Sequence, residues 1–118
     1  MIQMKRILLP TDFSELSSEA TKYACALAEQ FDAELHMLHV HESVVIHEYG
    51  MGIDWEKLEK EVKHAAEARM DEVLDPEWAE GRTIVKATAE GPPFLEIIRY
   101  AKELNIDVIV MATKTFAA

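Results

Sequence analysis

The chain of 118 residues is poor in the features that would mark it as secreted, membrane-bound or catalytic. It has a single cysteine, Cys25, which excludes an internal disulfide and fits a reducing compartment. Cys25 lies in an alanine-rich helical stretch, where it reads as a small buried hydrophobe rather than a reactive thiol. No stretch reaches the apolar length of a membrane span. The Ile7-Leu8-Leu9 run after Lys5 and Arg6 is too short for the core of a signal peptide, and no small-residue cleavage site follows it. The expected location is therefore cytoplasmic. No run of lysines or arginines exists, and 12 basic against 22 acidic residues leave a net charge of −10. Such a balance excludes nucleic acid and anionic membrane as expected partners.

Motifs of catalysis are missing too. There is no Gly-x-Ser-x-Gly elbow and no Walker loop. Thr11-Asp12-Phe13-Ser14 does not fit an Asp-x-Asp-x-Thr phosphatase motif, and Ala87-Thr88-Ala89-Glu90 lacks the aspartate of a phosphoryl-accepting domain. Nothing supplies a nucleophile paired with a base, so no enzyme activity is expected.

What is present is ordinary globular material, with 49% hydrophobic and 29% charged residues, enough for one domain over residues 1–118 with a modest core. Two strand ends stand out. Lys5-Arg6-Ile7-Leu8-Leu9 breaks into Pro10-Thr11-Asp12-Phe13-Ser14, and Asp107-Val108-Ile109-Val110-Met111 breaks into Ala112-Thr113. Ligand sites of open α/β sheets lie at such carboxyl ends, near the switch point of strand order.

Strand and helix periods alternate between these ends. A helix is expected from about Ser14 to Phe31, with Asp12 or Ser14 as N-cap and an apolar stripe of Leu16, Ala20, Tyr23, Ala24, Leu27 and Phe31. Glu34 to Val40 reads as the second strand, and His41 to Asp54 as a longer connection carrying Gly50 and Gly52. Asp54 caps a second helix, with Trp55, Leu58, Val62, Ala65 or Ala66, and Val73 inward, ending at Asp75-Pro76. Thr83 to Thr88 is the third strand. Gly91-Pro92-Pro93 opens a third helix with Phe94, Ile97, Ile98, Ala101 and Leu104 inward and Asn105 as C-cap. Asp107 to Met111 is the fourth strand. Strands alternating with helices imply an α/β fold with a parallel sheet and right-handed crossovers.

The residues Arg6-Ile7-Leu8-Leu9-Pro10-Thr11-Asp12-Phe13-Ser14, His39-Val40, Gly91-x-Pro93 and Asp107-Val108-Ile109-Val110-Met111 resemble those of the universal stress protein family, from about Lys5 to Thr113. The resemblance implies a three-layer, doubly wound parallel sheet of the adenine nucleotide alpha hydrolase-like type. It also implies, in many members, an ATP site in which the Pro-Thr-Asp turn and the end of the second strand meet the nucleoside. By position, the implied cofactor-binding residues are Pro10, Thr11, Asp12, Val40, Met111, Ala112 and Thr113.

The family's phosphate loop begins Met-Gly-Thr/Ser-basic-Gly. Here Met111, Thr113 and Lys114 match, while Ala112 and Thr115 stand at the glycine positions. The later glycines, the last helix and the fifth strand have no counterpart, so the expected sheet has four strands. Glycine recurs in such loops because a Cβ would block backbone N–H groups aimed at phosphate. Losing two or three charged hydrogen bonds weakens triphosphate binding by roughly 3–9 kcal/mol. The expected function is thus a stress-response or signalling module with a vestigial adenine-nucleotide site, holding ATP weakly and magnesium only alongside a triphosphate. Two alternatives stay open: a genuine ATP binder whose glycine loop is absent from this chain, and a nucleotide-independent interaction domain. An uncovered Val108–Met111 edge would recruit a second copy, giving a homo-oligomer, expected as a dimer.

Other residues carry two readings. Asp12 either meets a ligand hydroxyl or amino group or caps the first helix with Glu15 in a box-like pair, and both can hold at once. Thr11 shares the ambiguity. Ser14, Ser17 and Ser18 read as solvated first-turn residues, with phosphorylation as the alternative. His36, His39, His41 and His47 invite a metal reading, but no cysteine or carboxylate completes a site at zinc spacing; His39 and His41 should share a strand face and His36 the other. Trp55 and Trp78 read as covers for the core edge.

Overall fold

Three successive residues, Ile7, Leu8 and Leu9, have no solvent-accessible surface. A strand buried on both faces needs neighbours on both sides and a layer above and below. The computed structural model, which describes residues 2–41 and 54–112, supplies them. Strand β1 (Arg6–Pro10) lies between β2 (Glu34–His41) and β4 (Val108–Ile109), and β3 (Ile84–Glu90) pairs with the far side of β2. All pairings are parallel, in the order β3-β2-β1-β4, with Ile7 opposite both Leu35 and Val108. The Asp107 carboxylate ties the lower ends together by accepting from the backbone N–H groups of Lys5 (2.7 Å) and Arg6 (3.0 Å).

The winding puts helices on both faces. Helices α1 (Glu15–Phe31) and α2 (Trp55–Asp71) cover one face, where Ile7, Leu9, Leu35 and Met37 pack against Ala20, Ala24, Ala28 and Met70. Helix α4 (Pro93–Glu103) covers the other, where Ile97 packs against Leu8 and Leu38. The short helix α3 (Pro76–Ala79) precedes β3 and is capped by Asp75, whose Oδ1 accepts from the Glu77 N–H at 2.9 Å. The doubly wound α/β fold expected from the sequence is the fold observed.

Several details differ, among them the strands β3, which runs on to Glu90, and β4, which is Val108–Ile109 rather than Asp107 to Met111. The buried face of α1 is Ser17, Ala20, Thr21, Ala24 and Ala28, whereas Leu16 and Tyr23 are 40% and 68% exposed. Small side chains let the helix close on the sheet, and bulky ones are displaced to its flanks. Helix α2 stops at Asp71 rather than Asp75; it buries Ala66 and Met70, while Ala65 faces solvent. On α4 only Ile97 is buried, and Phe94, Leu95 and Ile98 are 71%, 60% and 48% exposed. Among the described residues no second helix lies beside α4 to cover them. The C-cap of α4 is Leu104 rather than Asn105, which follows it in the left-handed conformation with φ 53°, and the Ile106 N–H bonds back to the Ala101 carbonyl at 2.9 Å.

The burial pattern gives a direct test. Leu8→Ala is expected to destabilise the fold by roughly 2–5 kcal/mol, because a cavity opens at a fully covered site. Tyr23→Ala is expected to change stability by no more than about 0.5 kcal/mol. Urea unfolding of both variants measures the contrast; equal effects would contradict the observed rotation of α1.

Candidate functional site

Strand β1 ends because Pro10 has no N–H to donate and because the chain then turns. The Thr11 N–H still bonds to the Leu38 carbonyl at 2.9 Å, so Thr11 is held at the top of the sheet. From there the chain leaves through α1 towards β2 on one side, while β4 returns on the other side of β1. This is the switch point of the sheet, and a crevice opens at it.

The crevice is a cavity of about 220 Å³. Pro10, Thr11 and Asp12 form one wall, Leu38 and Val40 of β2 the floor, and Met111 and Ala112 beyond β4 the opposite wall. Ser17 of α1 and Pro93 and Ile97 of α4 complete it. Six of the seven positions singled out in the sequence therefore meet in one place. Thr113 lies outside the described residues, as do Lys114 and Thr115. Ser17, Leu38, Pro93 and Ile97 were not singled out. Leu38 carried a usable signal, since residues two apart on a strand share a face, and Val40 was already assigned to it.

The polar chemistry centres on Asp12. Its Oδ1 accepts from the Ser17 hydroxyl at 2.6 Å and from the Ser14 N–H at 2.9 Å. Ser14, not Asp12, is the N-cap of α1, and its Oγ accepts from the Ser17 N–H at 3.2 Å. Glu15 accordingly opens the first turn and makes no capping box with Asp12. The Ser14 and Ser17 hydroxyls and the Ser14 amide hold the Asp12 carboxyl at about 2, below its ordinary 3.8. Among the described residues Oδ2 has no partner, which leaves one acceptor oxygen of a permanent carboxylate at the cavity.

The loop's other side meets a second cavity of about 230 Å³, between α1 and α2, lined by Thr11, Phe13, Ser18, Thr21, Arg69 and Glu72 among others. Phe13 stands there with φ 64°, a left-handed conformation that costs a non-glycine residue energy. The histidines divide between the faces. His36 packs towards α4, with Nδ1 2.7 Å from the Tyr100 hydroxyl, whereas His39 and His41 share the α1–α2 face with rings 6.4 Å apart. Among the described residues no three His, Cys, Asp or Glu side chains are placed to hold a metal; His47 lies outside them.

Asp12 makes stability depend on acid. A carboxyl that titrates at about 2 in the fold and near 3.8 in the open chain binds fewer protons when folded. Its contribution is complete above that upper value and is lost as pH falls towards the lower one. Asp12→Asn is expected to lower stability at pH 7 and to flatten the acid dependence between those two values. Chemical unfolding across pH 2–5 measures this, and an unchanged slope in the variant would contradict it.

This arrangement of strands and helices has known counterparts. The model of the universal stress protein family matches residues 4–115. The universal stress protein MJ0531 of Methanocaldococcus jannaschii is 32% identical over 111 residues, covering 92% of this chain. The chain spans 64% of that relative's length. The solved structure of MJ0577, from the same organism, superposes with a TM-score of 0.77 at 27% identity over 93% of this chain and 75% of that one. A universal stress protein solved in complex with cAMP has a TM-score of 0.58 and 17% identity, over 92% of this chain and 71% of that one, and shows the shared fold. Among the described residues, no helix is long and apolar enough to cross a membrane. The chain belongs to the universal stress protein family.

Proposed function

We propose that this chain is a non-catalytic, cytoplasmic stress-response module that holds the nucleoside end of an adenine nucleotide weakly, in the cavity between β1, β2 and β4. The observation that carries the reading is the pairing of Asp12 with apolar walls. Leu38, Val40, Ile97 and Met111 offer the surfaces a purine stacks against. The Oδ2 of Asp12, without a partner among the described residues, offers an acceptor for a ribose hydroxyl or the adenine amino group. That another universal stress protein of the same fold was solved with cAMP supports an adenine ligand class.

Two further features support weak, non-catalytic binding. Ala112 puts a methyl group at the start of the phosphate-side wall, where the family has glycine, so backbone N–H groups approach phosphate less closely. Among the described residues Asp12 is the one titratable side chain lining the cavity, and at about 2 it is too weak a base to take a proton near neutral pH. Magnesium enters this reading only as the companion of a triphosphate.

A second reading rests on exposed apolar surface. Among the described residues strand β4 stands at one edge of the sheet, and Ile109 within it and Met111 after it are each 38% exposed. Unpaired strand edges recruit other chains, so copies of this chain pair along β4 in this reading. Light scattering over a concentration series tests it: a rise towards the dimer mass is expected, and a monomer throughout would contradict it.

Calorimetric titration of the full chain with adenosine, AMP and Mg-ATP tests the main reading. All three are expected to bind in the roughly millimolar range, within about tenfold of one another. Mg-ATP binding about a hundredfold tighter than adenosine would show that phosphates are held and would overturn the weak-site reading. No adenosine binding to the folded protein would leave the interaction-domain reading in its place.

A further inference from the structure

The loop that carries Thr11 and Asp12 is held from behind by side chains that never reach the cavity. Alternation along β2 sends Leu38 and Val40 to the cavity face and His39 to the opposite face. From there the His39 ring reaches over the top of β1, and its Nδ1 lies 2.9 Å from the Thr11 carbonyl oxygen. A carbonyl only accepts, so Nδ1 carries the proton. The same ring lies 4.6 Å from the Phe13 ring, centroid to centroid, and the Arg69 guanidinium sits 4.4 Å over Phe13.

Arg69 is unusual among the arginines. Arg6, Arg82 and Arg99 pair with Glu34, Glu29 and Glu96, while Arg69 has no carboxylate partner among the described residues. In a chain of net charge −10, an arginine whose recorded partner is an aromatic ring points to that ring as its role.

We propose that His39, Phe13 and Arg69 form a clamp that positions Thr11 and Asp12 for the ligand, with His39 as its central positioning residue. Thr11 is then tied through every polar atom. Its N–H bonds to Leu38, its carbonyl accepts from His39, and its Oγ accepts from the Phe13 N–H at 3.1 Å. Phe13 is kept in its left-handed conformation because its ring lies against both His39 and Arg69. Release of His39 lets the turn relax towards ordinary backbone angles and draws Asp12 out of its contacts with Ser14 and Ser17.

The inference rests on the adenine-site reading for its ligand but not for its geometry, and two measurements on the full chain separate them. In the first, His39→Leu is expected to bind adenosine about tenfold more weakly, and His39→Gln, which keeps an N–H donor, to return to within about threefold of the parent. Equal adenosine affinity in folded His39→Leu and parent would overturn the clamp. In the second, carbon-13 NMR follows the Asp12 carboxyl without any ligand. Its midpoint is expected to rise in His39→Leu from about 2 towards the ordinary 3.8, and an unmoved midpoint would overturn the clamp even where adenosine does not bind. If His39→Leu fails to fold, Arg69→Gln on the exposed side of α2 replaces it, with a loss of about threefold expected in affinity. Unchanged affinity and an unmoved midpoint in Arg69→Gln would then overturn the clamp.

Discussion

The backbone bond from Thr11 to Leu38, 2.9 Å long, decides where the top of the sheet lies. It extends the β1–β2 ladder one residue past Pro10 and so carries the chain to the level of His39 before it turns. A turn one residue later would leave α1 without Ser14 as its cap. Asp12 and Ser14, which come next, then bond to each other and to Ser17 at the start of α1.

The two faces of the sheet are covered unequally, and this asymmetry shapes the surface. On the α1–α2 face, alanines bring α1 close to the sheet, and Met70 and Leu74 of the α2 side fill what remains. On the α4 face, one helix contributes one fully buried side chain, Ile97. The cavity opens at the upper end of this thinly covered face, where Pro93 and Ile97 meet Met111. The apolar walls that suit a purine are thus the unfilled end of the smaller core, furnished with one carboxylate.

Much of this was legible in the residue order. Uninterrupted apolar runs, Ile7 to Leu9 and Val108 to Met111, marked the first and fourth strands, while the second and third, which carry His36, His39 and Lys86, were read from their place between helical periods. The ends of the first and last strands stood out because a parallel sheet carries its carboxyl ends to one side, whereas the full set, Val40 included, came from the resemblance to the universal stress protein family. Helix rotation was not legible in the same way. Counting hydrophobicity favours Leu16 and Tyr23 over Ser17 and Thr21, yet the contact with a flat sheet selects for small size. Ser17 was missed at the cavity for the same reason, whereas Ile97 was placed inward but read as core and not as cavity wall. The loop-backing role of His39 was hidden as well: the period of two placed its face, but its reach to Thr11 depends on the strained turn at Phe13.

The central claim is that the ligand is read at the switch point between β1 and β4, on the α4 side of the loop. Backbone amide NMR of the full chain during titration with AMP tests it most directly. The account predicts shifts concentrated at Thr11, Asp12, Val40, Ile97 and Met111, with Ser18 and Arg69 moving little. Shifts centred on Ser18, Thr21 and Arg69 would place the ligand in the cavity between α1 and α2 and contradict the account.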